Sequence, residues 1–277
     1  MRTSPSLRLV TAAYVADLSD SVARAGSCQA KTQIRVGLPD DSTAWVNCAE
    51  LLSAPETFTL WRQELAGWLH DRYGEAPERT TAGYVMSWYL SVPAYLAALL
   101  FHHERRVPSL RPEHLAFRKS RPRPHPDSIA VLDEGFVCLP DDPAAGTPNA
   151  TVVTDERALA AVLRGRFTAH AAQFVSAFGK TVRFGRRTLW GAATDALDNW
   201  MWLAGRYGGD EVAGVLDAAL LLDDRFEPLT SASTLRPVTD AAGHTRWTRR
   251  RESCCFHYLM KAGQGVCETC PRVCPKY

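Results

Sequence analysis

Apolar residues recur every three or four positions over most of the chain, the spacing that places them on one face of an α-helix. This pattern predicts helices at residues 6–24, 55–73, 80–104, 155–178, 187–207 and 210–222. Residues that favour helix ends support these bounds, with Gly74 and Gly179 as stops and Thr154 as an N-cap. Helix is therefore the dominant element that the sequence predicts.

The character of the chain changes between residues 108 and 148, where short β-type patterns replace the helical one. Strands are predicted at residues 114–117, 129–132 and 135–139. The run at 120–127 alternates prolines with other residues, which excludes a helix there. A second β-type pattern, residues 234–238 and 245–249 around Gly243, predicts a hairpin.

Together these patterns predict a mainly α (α+β) fold, with a small mid-chain antiparallel sheet and a C-terminal metal-binding segment. We expect a division into an N-terminal helical region (1–107), a sheet and helical core region (108–244) and a cysteine-rich segment (245–277). The chain has 277 residues, of which 46% are hydrophobic, so it can bury a sizeable core without help from disulfides. The formal net charge of +2 gives no reason to expect binding to nucleic acid.

Two apolar stretches raise the question of export or membrane insertion. The first, residues 7–18, is interrupted by Arg8 and Asp17, which argues against an export signal and predicts a cytoplasmic protein. The second, residues 83–101, is almost free of charge but has Pro93 at its centre and is short for a bilayer span. We interpret it as a buried core helix and expect no integral membrane span.

Five of the eight cysteines lie in the last 24 residues: Cys254, Cys255, Cys267, Cys270 and Cys274. In a reducing compartment such a cluster indicates metal or redox chemistry more than disulfides. The spacing Cys267-x-x-Cys270 allows a tight turn to present two thiolates to one metal. Neighbouring Cys254 and Cys255 fit a centre with two irons better than zinc, whose knuckles separate their ligands by two to four residues. A turn at residues 263–265 would bring the two pairs together.

The tail resembles the FhuF-type ferric siderophore reductases in its Cys-Cys pair, eleven intervening residues and Cys-x-x-Cys. The matching stretches are residues 249–258 and 265–271, and residues 187–191 (Arg-Thr-Leu-Trp-Gly) are also similar to a family segment. Ala192 departs from the asparagine expected at its position, and Cys274 is not part of the family pattern. The resemblance implies a cytoplasmic protein with a [2Fe-2S] cluster on Cys254, Cys255, Cys267 and Cys270.

The resemblance also implies one-electron reduction of siderophore-bound Fe³⁺, with release of Fe²⁺, by a protein that receives its electrons from an external donor such as a ferredoxin or a flavoprotein reductase. No glycine-rich dinucleotide fingerprint follows a predicted strand, so we do not expect the chain to bind NAD(P)H itself. Cys274 would be a spare thiol, because the cluster needs four ligands.

Candidate residues for binding a substrate or a partner lie close to the cysteines or resemble the family segment. They are Arg249, Arg250, Arg251, Trp190 and His257. The arginines would offset the charge of the cluster, donate hydrogen bonds to it or dock a donor, and a solvated basic run is the alternative. Trp190 would line a siderophore pocket, although aromatic residues at helical spacing are more often core.

Two other functions remain open from the sequence. The first is a helical binding or assembly protein with a structural zinc tail, which would be colourless when purified. The second keeps the iron–sulfur cluster but uses it as a redox or iron sensor, whose cluster would not be reoxidised by a ferric siderophore.

Overall fold

Helices form most of the structure, a computed structural model that describes residues 17–29, 32–240, 242–262 and 265–272. The α-helices within these residues are α1 (Leu18–Ser27), α2 (Cys48–Ser53), α3 (Glu56–Tyr73), α4 (Glu78–Glu104), α5 (Glu156–Phe178), α6 (Arg186–Tyr207) and α7 (Glu211–Leu221). The strands are β1 (Gln33–Val36), β2 (Trp45–Asn47), β3 (Val107–Pro108), β4 (Leu115–Lys119), β5 (Pro126–Val131), β6 (Phe136–Cys138), β7 (Ala150–Val152), β8 (Leu235–Thr239) and β9 (Thr245–Arg249). This composition confirms the predicted mainly α fold class.

The strands in the described part of the chain form small sheets on the helical body. The largest has the order β1-β5-β4-β2. The β4–β5 pair is antiparallel, as predicted, whereas β2 and β1, which the sequence patterns do not predict, add an antiparallel strand beside β4 and a parallel strand beside β5. The third predicted strand, β6, is not part of this sheet. A second sheet, β3-β6-β7, likewise combines an antiparallel and a parallel pair. The hairpin of β8 and β9 stands where the sequence predicts it.

Helix α4 forms the centre of the hydrophobic core. Its side chains are buried on all sides, and Tyr89 stacks on Phe174 of α5 with ring centroids 4.6 Å apart. Among the described residues α4 is the one helix long and apolar enough to cross a membrane, and 78% of its most apolar window is buried within the protein. A helix that is apolar all round and covered by protein is a core helix, so the interpretation of residues 83–101 agrees with the structure.

The predicted helix bounds agree with the observed ones to within two residues for α3 to α7. One end signal differs: the N-cap of α5 is Asp155, whose carboxylate accepts from Ala158 N, rather than Thr154. The described part of α1 begins at Leu18, so most of the helix predicted at residues 6–24 lies outside the described residues.

The arrangement of α4, α6 and the hairpin positions the cysteine-rich segment. Helix α6 packs along α4. Strand β9 ends at Arg249, whose guanidinium donates to the Asp195 carbonyl of α6 at 3.0 Å. The chain therefore enters its C-terminal segment already fixed against α6.

Candidate metal centre

The first cysteine pair lies in an irregular segment immediately after β9. Phe256, the next residue, has a left-handed backbone with φ of 58°. Its amide donates to the Cys254 sulfur at 3.3 Å, and a short 3-10 turn (His257–Leu259) follows. Neighbouring side chains in an extended strand would point to opposite faces. The turn at Phe256 instead provides the change of direction that two adjacent ligands need.

The second pair lies in a tight turn. The Cys270 amide donates to the Cys267 carbonyl at 2.9 Å, which closes the Cys-x-x-Cys loop. Gly265, with φ of 74°, supplies a backbone conformation that other residues rarely adopt, while residues 263 and 264 of the predicted reversal lie outside the described residues. The two loops are joined by a hydrogen bond from the Arg251 amide to the Thr269 carbonyl at 3.0 Å.

The two loops bring the four thiols together. Cys254 and Cys267 each lie near enough to Cys255 and Cys270 for these thiols to act on their ionisation. Burial and the neighbouring thiols raise the pKa of Cys267 to about 11, and they raise that of Cys254 as well. Such thiols resist losing their protons together unless a cation takes the protons' place.

The four thiols supply the donor set of a cluster with two irons. A [2Fe-2S] cluster takes four cysteine thiolates distributed over two irons. Cys254, Cys255, Cys267 and Cys270 match that set in number and type, although among the described residues no three His, Cys, Asp or Glu side chains form a group that would hold a metal ion.

Arg251 supplies positive charge directly at the thiols. Its side chain is 14% exposed, and its Nε lies 3.8 Å from the Asp195 carboxylate. Although burial opposes its charge, Asp195 and the thiols of Cys255 and Cys267 raise the pKa of Arg251. The guanidinium is therefore a permanent cation that stabilises negative charge on the sulfurs.

Asp195 of α6 holds the segment that leads into the first pair. This carboxylate is 6% exposed and accepts from the backbone amides of Glu252 and Ser253, both at 2.8 Å, and from the Ser253 hydroxyl at 2.6 Å. The sequence analysis did not select Asp195. A signal was present, since Asp195 interrupts the apolar run of a helix, where a buried carboxylate needs a partner.

Two helical glycines allow the cysteine segment to approach the core. A Cβ on Gly83 of α4 would lie 2.7 Å from the Cys255 carbonyl oxygen, a distance that forces displacement. A Cβ on Gly191 of α6 would lie 3.1 Å from the Glu252 carbonyl oxygen. Thr80, also on α4, donates to the Phe256 carbonyl at 2.8 Å. Gly191 belongs to the segment 187–191 in which the sequence resembles the family.

The structure places the other candidate residues around this centre in different roles. Arg249, with 7% of its surface exposed, pairs with Asp195 at 3.4 Å. Arg250 pairs with Glu252 at 3.4 Å, and its side chain is 15% exposed. Trp190 is 3% exposed within the hydrophobic core, and its indole N–H has no hydrogen-bond partner among the described residues. The basic run is thus folded inward rather than solvated.

His257 belongs to a line of stacked rings that leads away from the cysteines. Its Nδ1 lies 2.6 Å from the Tyr84 hydroxyl, and the two rings stack with centroids 6.2 Å apart. Tyr84 stacks in turn on Trp88 at 5.7 Å. Burial first, and Cys255 second, raise the pKa of Tyr84 to about 12, so this phenol stays protonated.

Cys274 lies outside the described residues, so its position relative to the four thiols stays a prediction. The remaining cysteines lie away from the centre. Cys48 and Cys138 are buried in the core, and Cys28 is half-buried beside α1.

Comparison with known families identifies the segment. The FhuF 2Fe-2S C-terminal domain matches residues 251–272, which include Cys254, Cys255, Cys267 and Cys270. No curated protein sequence matches the chain. The match confirms the resemblance read from the cysteine spacing and gives [2Fe-2S] as the cofactor of this segment.

Proposed function

We propose that the protein is a cytoplasmic ferric siderophore reductase, and that its four C-terminal cysteines bind the cluster that passes one electron to siderophore-bound Fe³⁺. The observation that carries this proposal is that the matched segment, residues 251–272, holds the four cysteines on two loops that a backbone hydrogen bond joins, beside the largely buried Arg251. The bound cluster supplies a one-electron reductant of low potential. The substrate is an Fe³⁺ ion in a hard oxygen cage.

Reduction releases the iron because Fe²⁺ is softer than Fe³⁺ and binds the oxygen donors of a siderophore far less tightly. The protein residues set the conditions for this transfer. Arg251 holds a fixed positive charge beside Cys255. Positive charge there stabilises the reduced state of the cluster, which is more negative than the oxidised state. Phe256 and Met260, 7% and 3% exposed, are buried apolar residues that follow the first cysteine pair. Thr80 and Asp195 hold the backbone on either side of the first cysteine pair.

The electrons come from an external donor, for which we propose a ferredoxin or a flavoprotein reductase. Docking of that donor by the basic run is not favoured, since Arg249 and Arg251 are buried against Asp195 and Cys255. These arginines are better placed to stabilise the cysteine segment. Charge reversal at either residue is expected to lower cluster content together with electron uptake.

Anaerobic stopped-flow mixing tests the proposal. Protein reduced in the absence of oxygen is mixed with a panel of ferric siderophores, and the return of the visible absorption bands is followed. We expect rapid reoxidation by at least one ferric siderophore and none by its Ga³⁺ complex, which has the same shape and charge but accepts no electron.

Two outcomes would contradict the proposal. Failure of every ferric siderophore to reoxidise the reduced protein would favour a redox or iron sensor. A colourless protein with stoichiometric zinc, even when prepared anaerobically, would favour the structural zinc tail.

A further inference from the structure

A cleft with three arginines lies directly beside the cysteine segment. The cavity measures about 230 Å³, and we call it the arginine cleft after Arg62, Arg79 and Arg183, which line it together with Phe184. It opens where α4 begins, between α3 and the loop that precedes α6. No residue of the cleft belongs to the four ligands or to the matched segment, so its role is separate from holding the cluster.

The charge in the arginine cleft is unbalanced. The one acidic side chain in its lining is Glu78, which is 87% exposed and lies 3.7 Å from Arg62. Arg62 is 11% exposed; it donates to the Thr181 carbonyl at 2.9 Å, but its buried Nε has no partner among the described residues. Helix α4 points its N-terminal end at the cleft, and no side chain caps that end. All of these features favour an anion.

The lining of the cleft touches the cluster segment through a single aromatic ring. Phe184 stacks on Phe256 with centroids 5.0 Å apart, and the Arg79 guanidinium lies 4.6 Å above the Phe256 ring. Phe256 directly follows Cys255, and the same α4 turn that lines the cleft contains Gly83, which packs on the Cys255 carbonyl. A molecule bound in the cleft is therefore separated from Cys255 by the ring of Phe256 and its partner in the cleft wall, Phe184.

The positive surface continues outside the cleft. Lys180, Arg186 and Arg187 are exposed on the loop and first helical turn next to Arg183. Arg187 has one distant acidic neighbour, Glu252, at 3.8 Å. The basic surface thus extends the field of the cleft and would attract an anionic ligand from solution.

We propose that the arginine cleft and the basic surface beside it bind the ferric substrate, and that they select anionic chelates such as tris-catecholates over neutral tris-hydroxamates. This inference rests on the proposed function and names its substrate class. Three catecholates around Fe³⁺ give a trianionic complex, whereas three hydroxamates give a neutral one. Flat catecholate rings also suit Phe184 and the planar guanidinium groups, which stack on aromatic faces.

Positive charge at this place assists the electron transfer as well as binding. One electron passes to Fe³⁺, giving Fe²⁺, while the cluster is oxidised by one electron, and no proton or bond changes hands. The chelate therefore becomes more negative by one charge. The arginines therefore stabilise the reduced chelate more than the oxidised one, and this difference makes the electron transfer itself more favourable.

Binding is measured first, without any redox change. Ga³⁺ complexes of a hexadentate tris-catecholate and of a hexadentate tris-hydroxamate are titrated into the holoprotein, with tryptophan fluorescence as the signal. We expect the trianionic complex to bind at least about tenfold more tightly than the neutral one, since a charge-assisted hydrogen bond contributes enough for that factor. Added salt should weaken binding of the trianionic complex and leave binding of the neutral complex unchanged.

Variants locate the site. Arg183→Gln and Arg79→Gln should each weaken binding of the Ga³⁺ tris-catecholate by about tenfold. Arg79→Lys should restore part of the loss, because it keeps the charge. Arg157→Gln is the matched control: it removes one equally exposed arginine from α5, where it pairs with Asp223, and should leave binding unchanged. The visible spectrum of each variant confirms that the cluster is retained.

Failure of this inference is distinguishable from failure of the proposed function. If ferric chelates reoxidise the reduced protein with no dependence on chelate charge or on Arg79 and Arg183, the cleft is not the substrate site, although the reductase activity stands. If Ga³⁺ tris-catecholate binding depends on these arginines but no ferric chelate reoxidises the protein, the site stands and the reductase activity does not. Equal affinity for the neutral and the anionic complexes would overturn the selectivity.

Discussion

Single residues decide how adjacent cysteines become ligands of one centre. Cys254 and Cys255 would diverge in a strand, but the left-handed backbone of Phe256 turns the chain at that point. A non-glycine residue in this conformation costs about 1–2 kcal/mol. The hydrogen bond from Thr80 to the Phe256 carbonyl and the packing of its ring on Phe184 help to hold it.

The ligand set gives the first prediction at this scale. Cys255→Ser and Cys267→Ser each remove one of the four thiols of the matched segment, so we expect both to abolish or grossly alter the visible absorption and the iron content. Cys28→Ser, which changes a half-buried thiol beside α1, is the matched control and should retain both. Cys274→Ser is also expected to retain the cluster. A Cys274 variant without a cluster would show that the ligand assignment is incomplete.

Asp195 gives the second prediction. In Asp195→Asn, the amide N–H₂ group must face one of the N–H groups from which the carboxylate now accepts a hydrogen bond. Arg249 also loses its buried counter-charge. We expect unfolding to be easier by about 3 kcal/mol, with a lower iron content per chain.

Asp217→Asn is the comparison for Asp195, since Asp217 is also a buried acceptor but pairs with His102 and Arg105 instead. Denaturant unfolding and iron analysis of both variants separate general from local effects. If Asp217→Asn lost iron to the same extent, Asp195 would have no special connection with the cysteine segment.

At the scale of elements, α4 and α6 form the platform on which the cysteine segment rests. Each contributes a glycine at the point of contact, Gly83 against Cys255 and Gly191 against Glu252. Glycine in a helix interior costs about 0.5–1 kcal/mol relative to alanine. Its presence at both contacts is explained by the close approach of another backbone.

The third prediction compares Gly83 with a helical glycine that no other segment approaches. Gly83→Ala should displace the Cys255 backbone and reduce cluster content, because the added Cβ would lie 2.7 Å from its carbonyl oxygen. Gly165→Ala in α5, where nothing lies within 4 Å of the added atom, should instead stabilise the protein by about 0.5–1 kcal/mol. Iron content and the denaturation midpoint measure the two effects. Full iron content in Gly83→Ala would contradict the packing described here.

The elements differ in how far the sequence predicts them. Helices α3 to α7 follow from long apolar periodicity, and the β8–β9 hairpin from two alternating runs around a glycine turn. Strands β1 and β2 were missed because four and three residues hold too little pattern, and the parallel pairing of β1 with β5 joins residues nearly a hundred positions apart. Such pairing depends on tertiary contacts that no local signal reports.

At the scale of the whole molecule, one hydrophobic core extends from Leu18 to Met260 and includes part of the cysteine segment. The four cysteines could be found from the sequence because their spacing is specific. Asp195, Gly83 and the arginine cleft could not, because each acts on a segment that is distant in the chain. The inward direction of Arg249 and Arg251 likewise depends on the position of Asp195 on α6.

The most direct test of the central claim is the stoichiometry of a single turnover. Anaerobic protein carrying one reducing equivalent per cluster is mixed with a ferric siderophore and a chromogenic Fe²⁺ chelator, and cluster reoxidation and Fe²⁺ are recorded together. We expect one Fe²⁺ for each cluster reoxidised, at equal rates wherever trapping is fast. Reoxidation without Fe²⁺, or a cluster that stays reduced in excess ferric siderophore, would contradict it.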